Sequence, residues 1–182
     1  YSEHVLKSTN AFTLEITSKE DLKGLPESVV EAAAHTAEEQ GKKGVWVFNL
    51  QGPSYIPFLT YAENRGLREK MWRAFATRAF QGEFDNSKLC IRLAELRHQR
   101  AQILGYKTHA HFTLEERMAE APEKVLHFLE RIAVKAKPAA LRDIEDVKAL
   151  KKDLSGDAEV MPWDYATYSE TLKMKNYDLN EE

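Results

Sequence analysis

The chain has 182 residues, of which 43% are hydrophobic and 30% charged, and its net charge is -3 at pH 7. This balance predicts an ordinary soluble globular protein, in one domain or two small ones, and argues against a disordered chain. The absence of a long basic run argues against nucleic-acid or anionic-membrane partners. No apolar run approaches the roughly 18 residues of a membrane helix, and no signal peptide is recognisable. The single cysteine, Cys90, excludes an internal disulfide framework, which fits a reducing, cytoplasmic compartment.

The first quarter of the chain carries two predicted strands with a helix between them. Residues 11–17 alternate apolar and polar side chains with the period of two that strands show, and residues 44–50 are rich in β-branched and aromatic residues. In the intervening segment, Pro26 suits the first turn of a helix and Gly41 suits its C′ position. We therefore expect a small β-α-β element over residues 11–50, with the two strands paired either parallel or antiparallel.

The remaining chain is predicted to be helical. Helices are expected after a proline-rich turn in residues 51–64, and then over residues 67–82, 87–105, 109–119, 121–154 and 163–175. Asp85 or Asn86, Thr108 and Pro122 are the expected start signals, and Gly105 is an expected stop signal. The predicted fold class is mainly α, with one small two-stranded β element, in a single mostly helical region over residues 1–182.

The longest predicted helix carries a stripe of apolar residues that we expect to be buried. The stripe consists of Val125, Leu129, Ile132 and Ala136 and continues through Leu141, Ile144 and Leu150, with Pro138 expected to kink the helix. Cys90 lies in a similar apolar helical pattern and is expected to be a buried, inert thiol. In the last helix, Tyr165, Tyr168 and Leu172 are expected to share one face.

Residues 96–119 contain three histidines and two adjacent glutamates, which raises the question of a metal or catalytic site. His109 and His111 would share a face on a strand, but on a helix they point about 200° apart. Because the surrounding pattern is helical, surface or structural roles are favoured for them and for His98. Glu115 and Glu116 point about 100° apart on a helix and form no ready acid/base pair. A self-contained metal enzyme using His109, His111 and Glu115 remains a rival hypothesis.

The other candidate groups also favour structural roles. His35 and Glu38 have helical spacing but lack a second histidine at metal-ligand spacing, so a surface pair is favoured. The arginines Arg65, Arg68, Arg73 and Arg78 are expected to form ion pairs or to contact a neighbouring domain. The chain has no His-Glu-x-x-His, phosphate-binding glycine loop or Gly-x-Ser-x-Gly elbow. No catalytic, cofactor-binding or metal-binding residue is therefore predicted within this chain.

Several short motifs, taken in order, carry a resemblance that the individual residues do not. They are Asn64-Arg65-x-Leu67-Arg68, Phe84-Asp85-Asn86, Leu104-Gly105-Tyr106 and Pro162-Trp163-Asp164, set within longer matching segments that begin with residues 10–17 and end with residues 162–179. The whole chain resembles the thimet oligopeptidase family of zinc metallopeptidases, which has peptidyl-dipeptidase and oligopeptidase A types. The short connection over residues 80–86 favours the peptidyl-dipeptidase type.

The resemblance implies that this chain is a fragment of a two-lobed, zincin-type oligopeptidase. In that family a His-Glu-x-x-His helix and a third glutamate ligand bind zinc in the C-terminal part, and no position here matches them. The parent is expected to hydrolyse short peptides in a deep channel, with zinc bound outside this fragment. The fragment would supply scaffold and channel wall, pack against the absent catalytic lobe and be inactive alone.

Two further expectations follow from the sequence. Residues 1–9 look like a helix already under way, and residues 175–182 lack a clear stop signal, so both ends are expected to be cut from a longer protein. The alternative to the peptidase hypothesis is a helical protein-interaction module without enzymatic activity, which would use an exposed apolar stripe to bind a partner.

Overall fold

The computed structural model describes residues 1–179, and eight α-helices and one two-stranded sheet lie within them. The elements are α1 (Ser2–Ala11), β1 (Thr13–Ile16), α2 (Glu27–Glu39), β2 (Trp46–Asn49), α3 (Gly52–Tyr61), α4 (Arg65–Ala76), α5 (Ser87–Ile103), α6 (His109–Leu114), α7 (Pro122–Ser155) and α8 (Tyr165–Tyr177). The predicted mainly α class with a small β element is confirmed. Within the described residues, no helix is both long and apolar enough to cross a membrane.

The chain divides into two compact units. The first, the sheet unit, contains Ser2–Asp85 and the chain from Asp146 onwards; the second, the helical arm, contains Tyr1 and Asn86–Glu145. Residues 180–182, the end of the segment expected to lack a stop signal, lie outside the described residues. Before them, α8 ends at Tyr177, and Asp178 adopts a left-handed conformation with φ +53°.

The two strands of the sheet unit pair antiparallel, which settles the alternative that the sequence left open. Leu14 lies opposite Phe48, and Ile16 lies opposite Trp46. The connecting helix α2 ends in a Schellman motif, in which Gly41 (φ +72°) donates to the carbonyl of Glu38 at 2.9 Å. Gly41 therefore has its predicted C′ role. Pro26, by contrast, lies at the N-cap, one residue before the expected first turn.

The hydrophobic core of the sheet unit lies where the inner face of the sheet meets the helices that follow it. Its buried members are Leu14, Ile16, Leu22, Ala33, Phe48, Leu50, Phe58, Leu59, Ala62, Met71 and Trp163. The rings of Phe48 and Phe58 contact edge to face, with centroids 4.8 Å apart. Alternate residues of β1 are buried and exposed, so the period-two pattern read from the sequence is confirmed.

Two helices are shorter than their apolar patterns predicted. Helix α4 ends at Ala76 instead of near Gly82, and Ala79 then adopts a left-handed conformation with φ +54°. Helix α6 ends at Leu114 instead of residue 119, and Glu120 likewise has φ +61°. After α4 the apolar spacing continues because the turn that follows also packs inward, where Ala79 is 6% exposed; after α6, by contrast, the apolar Met118 is fully exposed.

The caps of the helical arm are partly as predicted. Thr108 caps α6 by accepting a hydrogen bond from the His111 amide, and Gly105 (φ +84°) follows the end of α5. Asn86 occupies the N-cap of α5, but its side chain makes no capping bond and donates instead to the Tyr1 carbonyl at 3.0 Å.

The expected burial of the apolar stripe on α7 is wrong in both halves of the helix. Leu129 and Ile132 are 53% and 47% exposed, and Leu141 and Ile144 are 53% and 37% exposed. Only Leu150, at 5% exposure, is buried as expected. Helix α7 is continuous from Pro122 to Ser155, through Pro138. Most of the stripe therefore lacks a covering surface within the described residues.

The expected burial of Cys90 is also wrong, because the thiol side chain is exposed. Its apolar neighbours on α5, Leu89 and Leu93, are themselves 41% and 39% exposed. An apolar pattern buries a residue only when another element packs on that face, and here α5 presents the face to solvent.

A tight turn joins the start of the sheet unit to the corner between α3 and α4. The carbonyl of Lys23 accepts from the Glu63 amide at 3.0 Å, and the Asn64 side chain donates to Asp21 at 2.8 Å. Gly24 has φ +83°, and a Cβ atom there would lie 2.2 Å from the Tyr61 carbonyl oxygen. Only glycine fits this position, because both the backbone conformation and the space exclude a side chain.

We expect Gly24→Ala to lower the free energy of unfolding by about 2–5 kcal/mol, which combines left-handed strain with overpacking. Gly41→Ala is the matched control: its φ is also positive, but no atom lies within 4 Å of the added Cβ. The control should cost only about 1–2 kcal/mol. Urea unfolding followed by tryptophan fluorescence measures both, since Trp46, Trp72 and Trp163 all lie in the sheet unit. Equal costs would show that close packing at Gly24 is unimportant.

Candidate functional site

The histidines of residues 96–119 do not converge on a common site. His109 and His111 lie on α6; His111 contacts Thr108 at 2.7 Å and Glu123 at 3.5 Å, and His109 lies 3.5 Å from Thr113. His98 is exposed on α5. The structural roles favoured from the sequence agree with these local contacts.

Glu115, the third member of the rival metal site, has a different partner. Its carboxylate accepts a hydrogen bond from the Tyr106 hydroxyl, and that bond raises the pKa of the tyrosine. The Phe112 ring packs against Tyr106 and under the guanidinium of Arg100, which lies 4.6 Å from the ring centroid. These contacts hold α6 against the end of α5 and provide no ligand set.

Across residues 1–179, no group of three or more His, Cys, Asp or Glu side chains could hold a metal ion. His35, the other candidate, is exposed on α2 and lies 3.6 Å from Glu39, one residue beyond the predicted Glu38. Within these residues, the side chains therefore do not fit the zinc site of the resembled family.

Two of the motifs that carry the resemblance, Asn64-Arg65-x-Leu67-Arg68 and Pro162-Trp163-Asp164, converge on a buried ion cluster in the sheet unit. Asp164 is fully buried and Arg68 is 3% exposed. The Asp164 carboxylate accepts from Arg65 at 2.8 and 2.9 Å and from Arg68 at 3.2 Å. It also accepts from the Met161 amide at 3.1 Å. Both arginines come from the first turns of α4, where a spacing of three places them on one side of the helix.

Arg68 uses its other donors to connect three segments of the chain. It donates to the carbonyls of Ala62 and Glu63, at 2.7 and 3.0 Å, and to the carbonyl of Trp163, at 3.0 Å. Ala62 is the C-cap of α3, where carbonyl groups lack partners within the helix. One buried guanidinium thus joins the end of α3, the start of α4 and the segment that leads into α8.

The charges of the cluster stabilise one another. Burial alone would raise the pKa of the Asp164 carboxyl, but hydrogen bonds from Arg65, the Met161 amide and Arg68 outweigh burial and hold that pKa below its usual range. The hydrogen bond that Arg65 donates to Asp164 also raises the pKa of the Arg65 guanidinium. Both groups are therefore charged at neutral pH.

The indole of Trp163 extends the cluster to the protein surface. The guanidinium groups of Arg73 and Arg65 lie 4.9 and 5.7 Å from its ring centroid, and the Trp72 ring lies 5.7 Å away. Arg73 also pairs with Glu69 at 2.8 Å. The sequence predicted ion pairs for Arg65, Arg68 and Arg73, but it did not find the acidic partner of Arg65 and Arg68, because Asp164 is almost a hundred residues away.

A groove lies between α3 and α8 in the sheet unit. It encloses about 460 Å³ and is lined by Ile56, Pro57, Thr60, Tyr61, Ala166, Ser169, Glu170 and Lys173. One carboxylate oxygen of Glu170 is 3.2 Å from Lys173, whereas the other is buried without a hydrogen-bond partner. The Ser169 hydroxyl is likewise buried and unpartnered. Sequence reasoning missed this groove, since its polar groups are brought together only by helix packing.

Comparison with known proteins decides the family. The model of peptidase family M3 matches residues 58–182. The chain belongs to peptidase family M3. The match includes both parts of the Arg68–Asp164 cluster, in α4 and before α8.

The chain is similar over its full length to several M3 relatives. It is 41% identical to oligopeptidase A of Haemophilus influenzae and 36% identical to the probable cytosolic oligopeptidase A of Arabidopsis thaliana. Identity to the dipeptidyl carboxypeptidase of Escherichia coli is lower, at 29%. Identity is thus higher to the relatives named oligopeptidase A than to the dipeptidyl carboxypeptidase, the type that the short connection suggested.

The chain spans 27% of the length of each of these relatives.

We expect Asp164→Asn to lower the free energy of unfolding by about 3–5 kcal/mol, because it leaves Arg68 buried without a counter-charge. Glu3→Gln is the matched control, since it makes the same carboxylate-to-amide change in the exposed pair with Lys7. Exposed pairs contribute little to stability, so the control should unfold like the unmodified chain. Urea unfolding by tryptophan fluorescence makes the comparison. Equal behaviour of the two variants would contradict a stabilising role for the cluster.

The depressed pKa of Asp164 also predicts a pH dependence. A carboxyl with a lowered folded-state pKa stabilises the protein fully above its unfolded-state pKa of about 3.9, and this contribution disappears as pH falls through the folded-state pKa. The stability difference between the unmodified chain and Asp164→Asn should therefore be constant near neutral pH and shrink below about pH 4. Urea unfolding of both proteins between pH 7 and pH 3 measures it. A difference that grew on acidification would refute the assignment.

Proposed function

We propose that this chain is part of a zinc-dependent peptidase of the oligopeptidase A type that hydrolyses short peptides. The observation that carries the proposal is membership of peptidase family M3, together with full-length similarity to relatives named oligopeptidase A. The chain itself would act as scaffold and substrate-channel wall. Catalytic and zinc-binding residues would be supplied by the part of the protein outside this chain, which is the proposed catalytic lobe.

The proposed role as one non-catalytic region of a larger enzyme is supported by what the side chains do. The cluster of Arg65, Arg68 and Asp164 is fully engaged in joining helices, and His109 and His111 have local partners. A cytoplasmic location is part of the proposal and is supported by the name of the probable cytosolic relative.

The proposed channel wall is the groove between α3 and α8. An extended peptide presents backbone amides and carbonyls that need partners once water is displaced. Glu170 and Ser169 are the polar residues of α8 that line the groove, and a carboxylate accepts N–H groups whereas a hydroxyl can donate or accept. Around them, Ile56 and Pro57 provide apolar surface for side chains, so the groove combines apolar walls with a few polar groups, as binding sites do.

We expect peptide hydrolysis by the whole protein and none by the 182-residue chain. The measurement uses a quenched fluorescent short peptide, with and without a zinc chelator, followed by restoration with zinc. Activity in the chain alone would contradict the scaffold role and revive the metal site at His109, His111 and Glu115. Activity that resists chelation would refute zinc dependence, and inactivity of both proteins would favour the helical interaction module.

In the whole protein, we expect Glu170→Gln to raise KM for a short peptide about tenfold, because a hydrogen bond to a charged group contributes about 1.5–3 kcal/mol. Glu39→Gln, an exposed change on α2 in the same unit, should leave KM unchanged. Steady-state kinetics with the same peptide measures both. An unchanged KM for Glu170→Gln would exclude the groove from substrate binding without affecting the proposed activity.

A further inference from the structure

A buried lysine lies near the end of α7, in the part of that helix that belongs to the sheet unit. Lys151 is 2% exposed, although a lysine is almost never buried so completely unless it is paired. Its ammonium donates to the Asp157 carboxylate at 2.6 Å and to the Asp157 carbonyl at 3.2 Å. The Asp157 side chain is 56% exposed and lies on residues 156–161, which we call the connecting segment because they lead from α7 towards α8.

Asp157 folds the connecting segment around this contact. One of its carboxylate oxygens accepts from Lys151, and the other accepts from the Glu159 amide at 2.9 Å. The bond from Lys151 lowers the pKa of the Asp157 carboxyl, so that carboxyl is charged at neutral pH. At the far end of the segment, the Met161 amide donates to Asp164 at 3.1 Å. Both ends of the connecting segment are therefore held by ionised carboxylates.

Lys151 also supports α8 from the side opposite the groove. Its ammonium lies 6.0 Å from the ring centroid of Tyr168, at the outer limit of a cation–π contact. Successive residues of a helix point about 100° apart, so Tyr168 lies about 160° around α8 from Ala166 and Glu170. Those two residues line the groove, and Lys151 does not. Any effect of Lys151 on the groove must therefore pass through α8.

We propose that Lys151 is a positioning residue for α8, and that its pairing with Asp157 holds this wall of the groove in place for the peptide. The inference deepens the proposed function, because it assumes that the groove binds the peptide substrate. A buried charge does not tolerate a shift of its partner, so the pair ties the end of α7 to the connecting segment at a fixed distance. The contact with Tyr168 extends this restraint to α8.

The first test compares Lys151→Met with the matched control Lys152→Met in the whole protein. Both variants remove a lysine of α7, but Lys152 is exposed. Methionine keeps the apolar stem of Lys151 without its charge, and the remaining Asp157 is exposed to water, so the fold should be retained.

We expect Lys151→Met to raise KM for a quenched fluorescent short peptide at least about threefold, because the binding-competent position of α8 would be only partly populated. The value of kcat should not change, since the proposed catalytic residues lie outside this chain. Lys152→Met should leave both constants unchanged. Asp157→Asn weakens the same pair from its exposed side and provides a second variant, with the same expected rise in KM, should Lys151→Met fail to fold.

The second test is amide hydrogen exchange of the same proteins, read by mass spectrometry, which does not depend on peptide hydrolysis. In Lys151→Met, the connecting segment and the first turn of α8 should exchange at least about tenfold faster, because loss of a hydrogen bond to a charged group makes local opening easier. Helix α2 should exchange as in the unmodified protein. This local change in a protein that cleaves no peptide would support the positioning role and refute only the proposed function.

Unchanged exchange in the connecting segment of Lys151→Met would overturn the inference. Faster exchange throughout the sheet unit would also overturn it, because Lys151 would then stabilise the unit generally and would not position α8. A local change in exchange with an unchanged KM would overturn the link between Lys151 and the groove, while peptide hydrolysis by the whole protein would still stand.

Discussion

The sheet unit depends on one buried ion cluster. Asp164, fully buried, is held by Arg65 and Arg68, which lie almost a hundred residues earlier in the chain. Arg68 simultaneously satisfies carbonyl groups at the end of α3, and so fixes the corner between α3 and α4 against the segment before α8. A buried charge tolerates neither loss of its partner nor a shift of the partner's position, which makes this cluster a strict geometric constraint on the unit.

The cluster also explains where a ligand groove can form. Because Asp164 and Trp163 fix the start of α8, the helix runs beside α3, and the Thr167 hydroxyl donates to the Leu59 carbonyl at 2.8 Å. Ser169 and Glu170 then follow on α8 at the groove between these helices. The helical arm contrasts with this arrangement, since its apolar side chains are mostly exposed. The sheet unit thus has a hydrophobic core, whereas the large apolar side chains of the helical arm are mostly open to solvent.

Periodicity predicted the type of almost every element. The alternation of Phe12, Leu14 and Ile16 predicted β1, and glycines at positions 41 and 105 marked two helix ends correctly. Burial was less predictable, because an apolar pattern defines a face and not what lies against it. Cys90 and most of the predicted stripe on α7 are exposed for this reason. The shorter end of α4 was missed since Ala79, which is not a glycine, adopts a left-handed conformation after the helix.

The sequence alone determined the helical class, the small β element, the family and the absence of a zinc-binding motif from this chain, because these follow from local spacing and from the order of short motifs. Only the tertiary structure decided the antiparallel pairing of the strands, the partner of Arg65 and Arg68, and the convergence of Ser169 and Glu170 on the groove. Each of these depends on contacts between residues distant in the chain. Local propensity carries no information on such contacts, which form when elements pack and bury their apolar faces together.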